Sequence, residues 1–271
     1  MMNIDLEKCI GCGMCISDCF ANDIKMIDGK ASIRNITCFK CGHCIAVCPV
    51  NAVSTDEYNM DDVKEYNKNT FTVESENLLN FIKFRRTIRH FKDKKVEKEK
   101  ILKIIEAGRF TETASNSQNV SYVVVENKIE ELRKLTLESL NKIGKELLET
   151  SKNKLYLKYA KMWMGMYNKY ISSPKEEDNL FFHAPLLIIV VSESIVNGSL
   201  ASGSMELLTN SLGLGALFSG FFVKAAESNN EIRKFLGLKE SQEIVSCMVI
   251  GYPDISFRRT VPRKTSEILF I

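Results

Sequence analysis

The chain of 271 residues lacks the features that mark membrane, exported or nucleic-acid-binding proteins. No stretch approaches the roughly 18 unbroken apolar residues that a membrane span requires. The first residues show no basic start followed by an apolar segment, so export is not indicated and we expect a cytoplasmic protein. A net charge of +3 is too small to indicate a nucleic-acid partner. With 45% hydrophobic residues, the sequence predicts one or two globular domains. We expect neither a membrane nor a nucleic acid as a partner.

Cysteine is almost absent outside one short segment. Of the nine cysteines, eight lie between residues 9 and 48 and only Cys247 lies elsewhere. A disulfide framework belongs to small secreted chains, so clustering in a chain of this length indicates metal binding instead. Cys247 lies among Val and Met in an apolar run, which predicts a buried structural thiol.

The eight clustered cysteines form an internal repeat. Each run has the spacing C-x2-C-x2-C-x3-C, and the runs comprise Cys9, Cys12, Cys15 and Cys19, then Cys38, Cys41, Cys44 and Cys48. Between the runs, Ile24–Ile27 and Lys30–Ile33 flank Asp28-Gly29, a dipeptide that favours a type I′ turn. The sequence therefore predicts a β-hairpin that joins two similar halves.

Two metals suit this cysteine pattern. A 4Fe-4S cluster needs four thiolate ligands. Three cysteines spaced i, i+3 can supply three of them from one tight loop, while the fourth comes from elsewhere in the chain. Zinc is the alternative, but it favours paired C-x2-C elements that give four ligands to one ion. The three-plus-one pattern, present twice, fits two 4Fe-4S clusters better. His43, between Cys41 and Cys44, is expected to be a surface loop residue.

Residues 1–55 resemble bacterial ferredoxins that carry two 4Fe-4S clusters. The resemblance implies that the last cysteine of each run binds the cluster of the other run. One cluster would then be bound by Cys9, Cys12, Cys15 and Cys48, and the other by Cys38, Cys41, Cys44 and Cys19. Pro49 follows Cys48, as in the family pattern, whereas Phe20 follows Cys19.

The rest of the chain shows no repeat. Apolar spacing predicts helices around 101–108 and 129–147, and short apolar runs predict strands over 122–125, 186–191 and 244–250. This alternation predicts an α+β domain with a central sheet covered by helices. The polar, acidic stretch before it is predicted to be a linker that could contain a surface helix. We therefore expect three parts, a ferredoxin-like two-cluster domain over 1–55, a linker over 56–79 and a second domain over 80–271.

Two segments of the second domain are rich in groups that bind ligands. Arg85-Arg86-Thr87-Ile88-Arg89 is predicted to lie immediately before a helix, where clustered guanidinium groups suit a phosphate or another anion. Thr113–Gln118 is a run of small polar residues that could donate hydrogen bonds to a flat heteroaromatic ring. A solvated turn and a plain loop are the respective structural alternatives.

Gly213-Leu214-Gly215, with Gly220 further on, follows a helical run from Met205 to Leu212. A dinucleotide fingerprint needs G-x-G-x-x-G between a strand and the next helix. Because both the spacing and the context differ here, we exclude a Rossmann NAD site at this position.

In this order, the segments of residues 80–271 resemble the nitroreductase family of flavin enzymes. Four features carry the resemblance. They are the Arg85–Arg89 segment, Asn116-Ser117-Gln118, Leu212-Gly213-Leu214-Gly215 leading to Ser219-Gly220, and Gly251-Tyr252-Pro253 leading to Pro262-Arg263-Lys264. The resemblance implies FMN bound at the interface of a homodimer.

The resemblance also implies roles for single residues. The FMN phosphate would be bound by Arg85, Arg263 and Lys264, with Arg86 and Thr87 adjacent. Arg89 would lie near the N1/O2 edge of the flavin, where a cation stabilises the reduced form. Asn116, with Gln118 beside it, would hydrogen-bond the ring, and Ser219 and Gly220 would lie near N5. No side chain is assigned as a nucleophile, because flavin N5 would carry the chemistry.

Residues 162–167, Met-Trp-Met-Gly-Met-Tyr, contain the single tryptophan of the chain, Trp163. Such a stretch is typical of core or dimer packing, and a lid over the flavin is the alternative hypothesis.

Two functions follow from joining these modules. In the first, the clusters feed electrons to FMN, and a nitroaromatic, quinone or similar conjugated small molecule is reduced by hydride transfer. The donor could be an external redox protein or NAD(P)H. In the second, the protein relays electrons between redox partners and has no organic substrate of its own.

Overall fold

A computed structural model describes residues 1–271, which divide into two compact units. Unit 1 comprises Met1–Val73 together with the short segment Ala114–Ser117, and unit 2 comprises Glu74–Thr113 and Gln118–Ile271. None of the helices combines the length and apolar character needed to cross a membrane.

Unit 1 consists of two small antiparallel sheets and three one-turn helices. In chain order its elements are β1 (Met2–Ile4), α1 (Met14–Ser17), β2 (Ile24–Ile27), β3 (Lys30–Ile33), α2 (His43–Ala46), β4 (Val53–Thr55) and α3 (Lys68–Phe71). Strand β1 pairs with β4, and β2 pairs with β3. Residues from both cysteine runs surround the small core around Ile24, Ala31 and Ala52.

The predicted hairpin is confirmed residue for residue. Ile24 pairs with Ile33 and Ile27 pairs with Lys30. Asp28 and Gly29 have φ values of 47° and 74°, as a type I′ turn requires. The turn packs against the first cysteine run so closely that a Cβ on Gly11 would lie 2.1 Å from the carbonyl oxygen of Gly29. Only glycine fits at position 11, which also has a φ of 69°.

Unit 2 is a four-stranded antiparallel sheet with helices on both faces. Its strands are β5 (Val120–Val125), β6 (Leu186–Ser192), β7 (Gly215–Phe218) and β8 (Glu243–Gly251). Its helices are α4 (Ser75–Phe84), α5 (Lys98–Arg109), α6 (Ile129–Thr150), α7 (Lys154–Ser172), α8 (Ile195–Ser211), α9 (Gly220–Glu227) and α10 (Asn230–Phe235). The spatial order is β5-β6-β8-β7.

Strand β6 is buried over its whole length because helices cover both faces of the sheet. Leu187, Ile189 and Val191 point into one core, which includes residues of α6, α7 and α9. The alternate residues of β6 point into a second core, which includes residues of α5 and α8. Helices α6 and α7 form the long connection between β5 and β6, which are hydrogen-bonded neighbours. The central sheet covered by helices is thus confirmed.

Two details differ from the sequence-based expectations. Strand β7 was not predicted, because it has only four residues and begins within the glycine-rich stretch after α8. The segment 85–89 does not lie immediately before a helix, since it follows α4 and α5 begins only at Lys98. The 56–79 segment contains α3 and the first half of α4.

Candidate cluster-binding and flavin-binding sites

One cavity of unit 1 is lined by cysteines from both runs. Cys9, Cys12 and Cys15 come from the first run, and the fourth, Cys48, comes from the end of the second. The apolar side chains of Ile4, Val50 and Val53 form part of the remaining wall. The chain therefore brings together the four thiols that the resemblance to ferredoxins assigned to one cluster.

A second cavity repeats this arrangement. It is lined by Cys38, Cys41 and Cys44 of the second run and by Cys19 of the first. Phe20 and Phe39 also line it, and their rings stack with centroids 6.2 Å apart. None of the eight cysteines forms a disulfide.

Left-handed glycines start the two helices that carry the third cysteine of each run. Gly13 caps α1 with a φ of 76°, and Gly42 caps α2 with a φ of 75°. Each glycine turns the chain sharply between the second and third cysteine, so that three thiols of one run face the same cavity. The sequence places glycine where this turn is needed.

The protonation of the thiols differs within the sites. Main-chain N–H groups of Ala31 and Gly11, followed by the Lys30 ammonium, lower the pKa of the Cys9 thiol. Burial raises the pKa of Cys15, and burial together with the charges of Cys38 and Cys41 raises that of Cys44 to about 11. The raised pKa values of Cys15 and Cys44 disfavour their free thiolates, which binding to a cationic centre would stabilise.

Each cavity is lined by four thiols, three from one run and one from the other. This three-plus-one donor set fits a 4Fe-4S cluster better than zinc, which favours paired C-x2-C elements. His43 is an exposed residue at the start of α2 that also lines the second cavity, and its Nδ1 lies 3.1 Å from Oδ2 of Asp18.

Unit 2 contains a cleft of about 1050 Å³, which is large enough to hold a small-molecule cofactor together with a substrate. Its polar lining includes Lys83, Arg85, Arg86, Thr87, Arg89, His90, Glu206, Thr260 and Arg263, and its apolar lining comprises Ile82, Ile255, Phe257 and Val261. Five of the predicted FMN-binding residues, Arg85, Arg86, Thr87, Arg89 and Arg263, thus meet in one cleft.

The arginine segment is attached to the sheet at two points. The Ile88 N–H donates to the carbonyl of Ala216 at 3.0 Å, and Phe91 forms a β-bridge with Pro253. Ile88 is buried against Gly215, where a Cβ would lie 2.3 Å from the Ile88 side chain. Since Ile88 points into the core, the neighbouring arginines are left to face the cleft.

The cleft is strongly cationic. Glu206 is the only carboxylate in its lining, and it forms an ion pair with Arg85. The Nε atoms of Arg85 and Arg86 are buried and have no hydrogen-bond partner. Buried guanidinium donors without partners are costly, so their presence fits an anionic ligand such as the phosphate of FMN.

The other predicted residues lie elsewhere. Lys264 follows Arg263 in an exposed segment without regular structure. Ser219 caps α9, where its hydroxyl accepts from the N–H of Phe222, and a Cβ on Gly220 would meet no other atom. None of these three lines the cationic cleft.

The predicted ring-binding residues Asn116 and Gln118 fall in different units. Asn116 belongs to unit 1, where its side-chain amide donates to the carbonyls of Phe39 and Lys40 at 3.1 and 3.0 Å. Gln118 belongs to unit 2, and its N–H donates to the Thr113 hydroxyl at 3.0 Å. Contact of either residue with a flavin ring stays a prediction.

Sequence reasoning missed Lys83, His90 and Glu206 of the cleft. Lys83 lies two residues before the arginine segment and His90 directly after it, so proximity along the chain could have indicated both. Glu206 lies within α8, remote in sequence from the other lining residues, and no local pattern distinguishes it.

Trp163 is buried and packs in the core on α7. Its ring lies 5.9 Å from Tyr159 and 5.7 Å from Phe221 of α9. This placement agrees with core packing for Trp163, although the neighbouring Met162 is exposed. Cys247 is buried in β8, and burial raises the pKa of its thiol, as expected of a structural cysteine.

Family comparisons match both parts of the chain. Residues 82–252 match the nitroreductase family, and residues 1–49 match a 4Fe-4S dicluster domain. The chain therefore belongs to the nitroreductase family. It is an FMN-dependent oxidoreductase that carries a 4Fe-4S ferredoxin domain, and its cofactors are FMN and two 4Fe-4S clusters.

Solved structures share the fold of the second part. A nitroreductase with bound FMN from Bacteroides fragilis is 23% identical, with a TM-score of 0.52 over 71% of this chain and 98% of that one. A BluB-like flavoprotein from Clostridium difficile is 18% identical, with a TM-score of 0.51 over 69% and 94%. An iodotyrosine deiodinase bound to FMN and 3-iodo-L-tyrosine is 20% identical, with a TM-score of 0.52 over 71% and 98%. No curated protein sequence matches the chain.

Double variants test the assignment of thiols to clusters. Cys48→Ala is expected to remove one cluster and so to halve the iron and sulfide content. Adding Cys12→Ala should cause no further loss, because both residues line the first cavity, whereas adding Cys41→Ala should remove the second cluster too. Iron and sulfide analysis of anaerobically purified protein distinguishes these results. If each run bound its own cluster, the two double variants would exchange their outcomes.

Substitutions in the cleft test the phosphate assignment. Arg86→Gln and Arg263→Gln are each expected to weaken FMN binding by about 10- to 100-fold, because a hydrogen bond to a charged group contributes about 1.5–3 kcal/mol. Arg258→Gln, which removes the same charge outside the cleft, should bind FMN normally. Fluorescence titration of the apoprotein measures the affinities. Riboflavin, which has no phosphate, should bind all the variants alike, and an equal loss for riboflavin would refute the assignment.

Proposed function

We propose that the protein reduces a nitroaromatic, quinone or similar conjugated small molecule with electrons that enter through its own ferredoxin module. When bound, the clusters supply single-electron transfer and FMN supplies two-electron hydride transfer. The observation that carries the proposal is the presence, in one chain, of two four-thiol cavities and a cleft lined by four arginines and a lysine.

The side chains of the cleft would bind and orient the cofactor. Within the cleft, Arg85, Arg86 and Arg263 offer cationic donors for a phosphate, and the buried Nε atoms of the first two have no other partner. Lys264 would add a donor from the exposed segment that follows Arg263. Arg89 lines the same cleft, where its charge would stabilise negative charge on a reduced flavin ring. A quinone that accepts a hydride and one proton leaves as the hydroquinone, so the chain must admit a proton but needs no nucleophile.

A homodimer forms part of the proposal. Helix α4 has an apolar side with Leu78, Leu79 and Ile82, yet none of its ten residues is buried. A helix of this length is marginal in water unless it packs against another surface. Residues 255–271 are all exposed and make no hydrogen bond, although Ile255, Phe257 and Arg263 of this segment line the cleft. A second copy of the chain would cover both surfaces beside the cofactor.

The compartment also follows from the thiols. Eight cysteines without disulfides, arranged to bind iron–sulfur clusters, favour a reducing environment, and we therefore propose the cytoplasm.

Rapid mixing tests the proposed reaction. Anaerobically reduced holoenzyme mixed with 1,4-benzoquinone or 4-nitrobenzoate is expected to regain flavin absorbance much faster than free reduced FMN does under the same conditions. Indifference to every small acceptor would favour the second candidate, a relay between redox proteins. Cys44→Ala, which should lack one cluster, provides the test of electron flow. It should retain the reaction with small acceptors but take up electrons more slowly from a reduced ferredoxin.

NADH and NADPH are tested separately. If either bleaches the flavin of Cys44→Ala as fast as that of the unmodified protein, the ferredoxin module is not required as the source of electrons.

A substitution on α4 tests the homodimer. Leu79→Asp is expected to convert the dimer to a monomer, because it places a charge in the apolar face that the second copy would cover. Asn80→Asp adds the same charge to the neighbouring residue of the same helix and should leave the dimer intact. Light scattering coupled to gel filtration measures the mass. A native monomer, or a dimer in both variants, would refute this interface.

A further inference from the structure

Lys30 places a positive charge beside one of the two cysteine cavities. It is the first residue of β3, directly after the hairpin turn that packs on Gly11, and its Nζ donates to the main-chain carbonyl of Cys9. Lys30 forms no ion pair with any carboxylate, so its charge is not neutralised by a neighbouring acid. Its side chain is only partly exposed, which limits screening by solvent.

The second cavity has a different charge environment. Lys40 lies between Cys38 and Cys41, at the repeat position that glycine occupies as Gly11 in the first run. Its Nζ, however, pairs with Oε2 of Glu57 at 2.5 Å. The internal repeat therefore offers a built-in comparison, with an uncompensated cation beside one cavity and a compensated cation beside the other.

Charge near an iron–sulfur cluster changes its reduction potential, because reduction makes the cluster more negative. A cation stabilises the reduced form more than the oxidised form and so raises the potential. We propose that Lys30 makes the cluster bound by Cys9, Cys12, Cys15 and Cys48 the first of the two to accept an electron. The inference rests on the cysteine assignment and on the proposed entry of electrons through the module, but not on any acceptor.

Potentiometric titration of the holoenzyme, followed by electron paramagnetic resonance, tests Lys30. The unmodified protein should show two cluster midpoint potentials. Lys30→Gln should shift the more positive potential downward and leave the more negative one unchanged. Lys30→Arg keeps the charge and should therefore keep both potentials at their unmodified values. Lys25→Gln on the same hairpin removes an exposed lysine and should change neither potential. Unchanged potentials in Lys30→Gln, or an equal shift of both, would overturn the proposal.

Two further variants show which cluster responds. In Cys48→Ala, which should retain only the second cluster, adding Lys30→Gln should leave the remaining potential unchanged, and a shift there would contradict the assignment. Glu57→Gln frees the charge of Lys40 and should raise the lower of the two potentials. The Glu57 variant leaves Lys30 in place, so it tests the same electrostatic argument even if Lys30→Gln fails to assemble its clusters. A lower potential that does not move would then count against the proposal.

These measurements need no small-molecule acceptor. Failure of the proposed enzymatic reaction and failure of the Lys30 proposal are therefore separate results.

Discussion

The structure of unit 1 depends on the requirement that four sulfur atoms converge on each cavity while one run of cysteines supplies only three. Cys48 completes the first set and Cys19 completes the second. This exchange forces the two halves of the repeat to lie side by side, and the β2–β3 hairpin is the connection that allows it. Gly11 allows the hairpin to pack closely on the loop that contains Cys9, since any side chain at position 11 would push the hairpin away.

In unit 2, the buried sheet holds several positively charged side chains close together although they repel each other. The arginine segment gains a main-chain hydrogen bond to β7 and a buried apolar anchor at Ile88. These contacts hold Arg85, Arg86 and Arg89 around one cleft even though their like charges oppose it. The ion pair between Arg85 and Glu206 relieves part of this repulsion. The remaining positive charge of the cleft favours the binding of an anion.

The sequence predicted best what local chemistry controls. Asp28-Gly29 between two alternating runs identified the hairpin to the residue, and the cysteine spacing identified the two sets of thiols that line the cavities. The long, periodic helices α5 and α6 and the three apolar strands were also found, with boundaries that differ by a few residues. In each case the signal lies within a short window of the chain, so no tertiary information was needed.

What escaped prediction depends on tertiary contacts. Strand β7 has only four residues and becomes a strand because β8 offers hydrogen-bond partners beside it. Glu206 enters the cleft because the fold brings α8 to Arg85, with which Glu206 pairs, and no local pattern reveals this. Asn116 was predicted from a family motif, yet its amide bonds to carbonyls within unit 1 show a partner that the motif does not encode. The orphaned Nε atoms of Arg85 and Arg86 are likewise visible only in three dimensions.

The α6–α7 connection has a consequence for how this architecture can change over time. It leaves the sheet at the end of β5 and returns at the start of β6, and these two strands pair over Val120–Val125 and Leu187–Ser192. Both helices bury apolar side chains, among them Leu132, Leu140 and Trp163, in the core on one face of the sheet, so a change in this connection alters the packing on that face. One uninterrupted stretch of chain therefore joins the β5–β6 pair and also buries it, and the two can change only together.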